Sequence, residues 1–338
     1  MNKKINDVTA LLPIRLKEYF EKISENDRQT ISEIRIRADK PIILVSKCNY
    51  TFLSKTGKFS HILSESLPKI TKSEFLETVN KICGYSIHSL QNDLINGFIT
   101  LKGGNRVGIC GVSVVENDRV ISIRQITSLN IRIANEVNGS SDEMLEFFKN
   151  GMLENSIIAG PPMSGKTTVL RDMVKQISNG KLGEYFKCVV VDERNEIGSI
   201  YNGILEADLG VNTDILSGCP KGYGLNLAIR TMSPDIIFCD EIGSTNDVKE
   251  IKSGICSGVK FVVTVHASTK DDLNSRPFIK ELNDTKMFKY IFLLNKLSEK
   301  NRIKQVFENG ELIYENGRSF CSADCLCFDW QKSKLKSI

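Results

Sequence analysis

Ile157-Ile158-Ala159-Gly160-Pro161-Pro162-Met163-Ser164-Gly165-Lys166-Thr167-Thr168 opens on apolar residues, turns through two glycines, and leads into Val169-Leu170-Arg171-Asp172-Met173-Val174, where apolar residues return at helical spacing. A buried strand, a tight loop and a helix are the local structure this pattern predicts. Within it, G-x-x-x-x-G-K-T puts a glycine at each end of the loop, so the backbone can fold into a cradle whose N–H groups face an anion at the positive end of the helix. Lys166 is then suited to reach the β- and γ-phosphates of ATP or GTP, and the Thr167 hydroxyl to ligate Mg²⁺. Gly160, Pro161, Pro162, Met163, Ser164, Gly165, Lys166, Thr167 and Thr168 are the expected nucleotide-binding residues.

Downstream, Pro234-Asp235-Ile236-Ile237-Phe238-Cys239-Asp240-Glu241 is an apolar strand ending in two acids, the Walker B arrangement. Asp240 is suited to the Mg²⁺ shell and Glu241 to the attacking water or the waters of the metal. Between the two motifs, Cys188-Val189-Val190-Val191 runs into Asp192-Glu193-Arg194-Asn195-Glu196, a second set of acids at a strand end. The strand Phe261-Val262-Val263-Thr264-Val265 closes on His266, whose imidazole can hydrogen-bond the γ-phosphate and report nucleotide state, or cap its own strand. Continuous apolar strands separated by helical patterns predict a parallel sheet covered on both faces, and its carboxyl ends line the ligand crevice.

The whole chain, 338 residues with 41% hydrophobic and 25% charged, has globular composition and material for two domains. Its 45 basic and 41 acidic residues are interspersed, so a net charge of +4 argues for no nucleic-acid partner. The mixed-charge start lacks the apolar core of a signal peptide, and the longest apolar runs are too short to span a bilayer; a cytoplasmic location is expected. Ten cysteines are scattered, with Cys188 and Cys239 inside apparent core strands, which suits a reducing compartment.

The first part of the chain predicts an α+β domain. Leu12, Leu16, Phe20 and Ile23 have helical spacing over Val8 to Ile23. Two strands are expected around a turn in Ser32 to Val45, and a helix from Thr71 or Ser73 through Phe75, Leu76, Val79 and Ile82 to Gly84. Phe98 to Gly111 reads as a hairpin around Gly103-Gly104-Asn105, and strand-like alternation follows at Val120–Arg124 and Leu129–Ile133. Arg35, Arg37, Arg106, Arg124 and Arg132 fall on these segments, either as solvated strand faces or as phosphate-binding fingers. Arg230, just before the Walker B strand, can pair with one of the acids or face a neighbouring subunit. The expected organisation is 1–134 for this domain, 135–142 for a polar linker, 143–320 for the α/β domain, and 321–338 for a basic tail. In that tail Cys321, Cys325 and Cys327 offer three thiols without an obvious fourth metal ligand.

The order Walker A, Asp192 to Glu196, Walker B, then Val265-His266-Ala267 resembles the ATPases of type II and type IV secretion systems and of pilus motors. A sporulation-linked branch of that superfamily, from endospore-forming Firmicutes, is resembled at Glu33-Ile34-Arg35-Ile36-Arg37, Gly103-Gly104-Asn105-Arg106-Val107-Gly108, Val191 to Ile197, and Met232-Ser233-Pro234-Asp235 leading into Asp240-Glu241-Ile242-Gly243. The resemblance implies an α/β, RecA-like P-loop ATPase domain with a smaller N-terminal α+β domain. It also implies ATP and Mg²⁺ as nucleotide and cofactor, a homo-oligomer in the form of a hexameric ring, membrane-embedded sporulation channel proteins as partners, and a cytoplasmic, mother-cell location at the membrane around the forespore. It matches Glu196 to a glutamate that orients or deprotonates water, Glu241 to the Walker B glutamate, His266 to the His-box residue, and Arg230 to the arginine preceding the Walker B strand; Arg35, Arg37, Arg106, Arg132 and Arg230 are the arginines expected to act between domains or subunits. Asp240-Glu241 stands where many secretion ATPases have Gly-Glu, and Asn105 where the resemblance leads one to expect histidine. A RecA-like nucleic-acid motor and a nucleotide-gated scaffold that hydrolyses little are the alternative readings.

Overall fold

The computed structural model describes residues 3–46, 49–84, 98–116, 119–134, 137–148, 151–296 and 302–319. The tail 321–338 with its three cysteines lies outside them, as do 135 and 136 of the expected linker. The chain divides into two units, Met1–Asn135 with Ser199–Ala207, and Glu136–Gly198 with Asp208–Ile338.

In the first unit, Pro13 interrupts what the apolar spacing predicts as one helix, because proline has no N–H to donate and its ring clashes with the preceding turn. Helices form instead at Lys3–Thr9, Ile14–Glu21 and Glu25–Thr30. Leu12, Leu16, Phe20 and Ile23 are nonetheless all buried. The strands are β1 (Ile31–Arg37), β2 (Ile43–Ser46), β3 (Asn49–Leu53), β4 (Phe59–Ser60), β5 (Phe98–Thr100), β6 (Arg106–Glu116) and β7 (Arg119–Arg132). They form an antiparallel sheet in the order β4-β3-β2-β1-β7-β6-β5. The two alternating stretches expected near 120–124 and 129–133 are one strand, β7, in which Gln125 takes φ 51° beside the register shift at Cys110/Val112.

Alternation in β1 buries Ile34 and Ile36 and leaves Glu33, Arg35 and Arg37 on the other face. Cross-strand register puts Arg35 opposite Asn130, Glu33 opposite Arg132, and Arg132 opposite Arg106, so four arginines share the polar face of one sheet. Between β5 and β6 the Gly103-Gly104-Asn105 turn forms as expected, with Gly103 at φ 77°. Asn105 is wholly buried, donating to the carbonyls of Lys4 and Lys102 and accepting from Ala134 N–H. It fastens the turn, which is a structural task. Ser199–Ala207 joins this unit although it lies within the span 143–320: Gly103 N–H donates to the Glu206 carboxylate at 2.8 Å, and a Cβ on Gly104 would come within 3.1 Å of Ser199.

The helix Lys72–Ile82 starts at Thr71, where Thr71 and Glu74 form a reciprocal capping box. Phe75, Val79 and Ile82 are buried, whereas Leu76, which the spacing placed with them, is 57% exposed. Glu74 also receives two guanidinium N–H groups of Arg15, at 2.8 and 2.7 Å. That charge-assisted pair holds its carboxyl down at about 2, against an ordinary 4.5. Because the folded-state value is depressed, the stabilisation is present above the ordinary carboxyl range and is lost as pH falls through about 2. Glu74→Gln is expected to destabilise the unit by about 1–2 kcal/mol at neutral pH, allowing for solvent screening. The gap should close in thermal melts as acid approaches pH 2; a gap that stays constant would refute the assignment.

The second unit contains β8 (Ser156–Gly160), β9 (Cys188–Asp192), β10 (Thr213–Ser217), β11 (Ile236–Cys239), β12 (Lys260–His266), β13 (Tyr290–Leu294), β14 (Ile303–Glu308), β15 (Glu311–Glu315) and β16 (Arg318–Ser319). Their order is β10-β9-β11-β12-β8-β13-β14-β15-β16, parallel from β10 to β13 and antiparallel beyond. Every residue of β8, β9, β11 and β13 is buried, as expected for strands covered on both faces. Helices Lys166–Ser178, Lys221–Thr231 and Thr245–Cys256 are among those that supply the cover. Gly254 lets the last of these lie close on β12, since a Cβ there would sit 2.5 Å from the Phe261 ring. Among the described residues, no helix is long and apolar enough to cross a membrane.

Candidate active site

Parallel strand order fixes which residues meet. Along the carboxyl edge of the sheet come Ser217 of β10, Asp192 of β9, Asp240 after β11, His266 of β12 and Gly160 of β8, the last two directly paired in register. Five segments far apart in sequence therefore deliver their ends to one line.

The loop Gly160–Gly165 joins β8 to the helix that begins at Lys166. Gly165 caps that helix at φ 85°, a conformation that L side chains rarely adopt, and Met163 at φ 60° is 84% exposed. At Gly160 a Cβ would stand 2.5 Å from Ser164 Oγ. The Ser164 hydroxyl is buried and makes no hydrogen bond. Such a group costs about 1–3 kcal/mol unless something polar enters the loop. Lys166 is 5% exposed and has its ammonium on the carbonyls of Gly160 and Pro161 (3.1 and 3.0 Å) and on Nδ1 of His266 (3.0 Å). Burial pushes its pKa below the usual lysine range, against the pull of Asp240 and Glu241. An incoming phosphate would favour the charged form. A loop with an orphan hydroxyl, a desolvated cation and no room for a side chain at Gly160 fits the polyphosphate of a nucleotide.

Thr167 Oγ1 donates to Asp240 Oδ2 at 2.7 Å, bringing together the two side chains expected at Mg²⁺. The other Asp240 oxygen accepts from Thr264 Oγ1, which itself accepts from Glu241 N–H at 2.8 Å. Glu241 occupies φ 53°. Since an ammonium can only donate, His266 Nδ1 accepts from Lys166, and the proton on Nε2 is donated to Glu241 Oε1 at 2.7 Å. Glu241 Oε2 accepts from Arg194 at 3.1 Å.

Asp192 is buried and accepts from the backbone N–H groups of Glu196, Ile197 and Gly198 at 2.7–2.9 Å. Burial raises its pKa, and those three bonds oppose the rise. Arg171, on the helix behind the cradle, holds the carbonyls of Glu196 and Ile197 at 2.7 and 3.0 Å. Glu196 thereby lines one cavity with Glu193, Asp240 and Glu241.

Four of the expected arginines belong to the sheet of the first unit. Arg35 pairs with Asn130 (3.1 Å) and Glu33 (3.5 Å), Arg132 reaches Glu33 at 3.9 Å, and Arg106 lies over the Phe98 ring. Arg37 continues the same face of β1. Arg230 is exposed in the last turn of Lys221–Thr231, at the opposite end from Lys221, which does line the cavity. Sequence reasoning gave no task to Thr264, Arg171, Arg194 or Lys221. Thr264 had a signal, since it is two residues before His266 on a strand and so shares its face. Thr264→Val would leave Asp240 and the Glu241 amide each short of a bond. A loss of about 1–3 kcal/mol in thermal unfolding is expected; an unchanged melting temperature would contradict these bonds.

The family described as "Sporulation stage III, protein AA" matches residues 2–313. Stage III sporulation protein AA of Bacillus subtilis (strain 168) is 32% identical over 305 residues, covering 90% of this chain and 95% of the relative. Among solved structures, the Legionella pneumophila ATPase DotB superposes with TM-score 0.53 at 12% identity, over 88% of this chain and 82% of its own. The pilus retraction motor PilT with bound ADP gives 0.54 at 17%, over 86% and 82%. The fold is that of secretion ATPases: a RecA-like α/β unit with a smaller N-terminal α+β unit.

Proposed function

This chain belongs to the sporulation stage III protein AA family, and from that premise we propose that it is an ATP-hydrolysing cytoplasmic motor of a secretion-like transenvelope complex needed for endospore formation. The observation that carries the proposal is one hydrogen-bonded set at the sheet edge: Thr167 to Asp240, Asp240 to Thr264, and Lys166 through His266 to Glu241. Gly160 to Thr168 hold the phosphates, with Lys166 countering their charge. Thr167 and Asp240 hold Mg²⁺, which when bound neutralises charge developing at the β- and γ-phosphates.

Glu241 is the stronger candidate for the residue that handles the attacking water, because its carboxylate is tied to the cradle through His266, which accepts from Lys166. Glu196 faces the same cavity and orients it. His266 reports the γ-phosphate through Lys166, whose ammonium leaves Nδ1 as it turns to the phosphate. Bound ADP in the pilus retraction motor supports the nucleotide reading, and the secretion-ATPase fold supports a homo-hexamer. Arg35, Arg37, Arg106, Arg132 and Arg230 are then the arginines offered between domains or to a neighbouring copy. The membrane-embedded sporulation channel proteins are the partners, met on the mother-cell side of the membrane around the forespore.

Replacing the chromosomal copy with Lys166→Ala tests the motor in its setting. The protein should accumulate normally while heat-resistant spores fall by at least about 100-fold, the scale expected for losing a phosphate-binding cation. Spore counts equal to wild type would overturn the motor reading.

A further inference from the structure

Glu241 is fixed at more points than the Walker motifs explain. Its backbone sits at φ 53°, a strained conformation for a residue with a Cβ, which persists only where the surroundings hold it. Thr264 takes its amide, and Lys221 Nζ donates to its carbonyl at 2.7 Å. His266 and Arg194 take one carboxylate oxygen each.

Lys221 is the unexpected member. It is the first residue of the helix Lys221–Thr231, following Pro220, and a cation at a helix N-terminus meets the positive end of the dipole. Its side chain is nevertheless only 12% exposed, held between the Glu241 carbonyl and Glu193 at 3.3 Å. Arg194, by contrast, is 65% exposed and touches Glu241 through a single N–H at 3.1 Å.

We infer that Lys221 and Arg194 are positioning residues for Glu241: Lys221 keeps its backbone in the left-handed conformation, and Arg194 fixes which way its carboxylate faces. The inference rests on the reading of Glu241 as the group that handles the attacking water. Neither cation needs to touch the nucleotide, so both act on the rate and not on binding. Without Lys221, Glu241 relaxes to an ordinary φ and its carboxylate leaves His266. Without Arg194, the carboxylate keeps its place in the backbone but gains rotational freedom.

The test is ATP turnover and fluorescent-ATP affinity of the full chain, measured for wild type, Lys221→Met, Arg194→Ala and Arg194→Lys. Lys221→Met is expected to lower kcat by about 30-fold or more and Arg194→Ala by about 10-fold, with nucleotide affinity within two-fold of wild type, as for losses felt only in the transition state. Arg194→Lys should recover most of the rate, since a single contact does not need the guanidinium fork. Arg194 is on the surface, so its variants decide the matter even if Lys221→Met fails to fold. Unchanged kcat in Arg194→Ala, or a fall in affinity matching the fall in kcat, overturns the inference while leaving the ATPase reading intact. Absence of turnover in wild type overturns both.

Discussion

Lys166→Ala is expected to weaken ATP binding by at least about 100-fold, measured by calorimetry on the full chain in the presence of Mg²⁺. The size follows from what the side chain does. The residue is 5% exposed and its ammonium is held by two loop carbonyls and an imidazole, with no carboxylate within the bonds it makes. A desolvated cation of this kind gains more from a phosphate than an exposed one does, because burial has already disfavoured its charged form. Removing it leaves the phosphates facing Asp240 and Glu241 with less to counter them. The fold should survive, since the helix and β8 are held by buried apolar contacts at Ile157, Ile158, Val169 and Leu170. A melting temperature near that of wild type with lost binding is the expected pair of results; retained affinity would show that the nucleotide binds elsewhere.

Glu241→Gln is expected to lower kcat by about 100-fold to 10,000-fold with ATP affinity retained, the range for removing a positioned general base. Glutamine keeps the shape and can still accept from Arg194, but it cannot take a proton from water. Glu196→Gln is expected to cost about 10-fold or less, because its place is set by its backbone, whose N–H donates to Asp192 and whose carbonyl accepts from Arg171, bonds that the substitution leaves alone. The two variants together divide the work between the acids. If Glu196→Gln were the more severe, the base would belong to the loop after β9 and Glu241 would serve the waters of the metal. A larger effect on affinity than on kcat in either would mean ground-state binding, and not chemistry, had been lost.

Local pattern made much of this legible. Gly160 to Thr168 could be read because the strand, loop and helix are contiguous, and their chemistry depends on spacing inside one segment. Asp240, Glu241, Glu196 and His266 could be read as strand-end groups, and parallel pairing then brings strand ends together whatever the sequence distance between them. What escaped depends on contacts between segments. Pro13 divides a helix whose apolar spacing continues across the break. Leu76 has the right spacing for burial and the wrong side of its helix. Ser199–Ala207 follows the second acidic loop in sequence and belongs to the first unit through Glu206 and Gly103, a bond between residues 103 apart. Lys221 carries no signal at all, since a lysine after a proline at a helix start looks like an ordinary solvated residue until the fold brings Glu193 and the Glu241 carbonyl to it.

The polar face of the first sheet shows the same division. Alternation in β1 identifies Arg35 and Arg37 as one face, but only the register with β7 and β6 adds Arg132 and Arg106 to it. Glu33 pairs with two of these four cations, Arg35 and Arg132.

The most direct measurement of the central claim is phosphate release from ATP by the purified full chain, followed with and without Mg²⁺ over protein concentrations that span self-assembly. The account predicts release that requires Mg²⁺, rises per subunit as the chains assemble, and falls to background in Glu241→Gln. ATP bound at one per chain and recovered intact at every concentration would contradict it and leave a nucleotide-gated scaffold in its place.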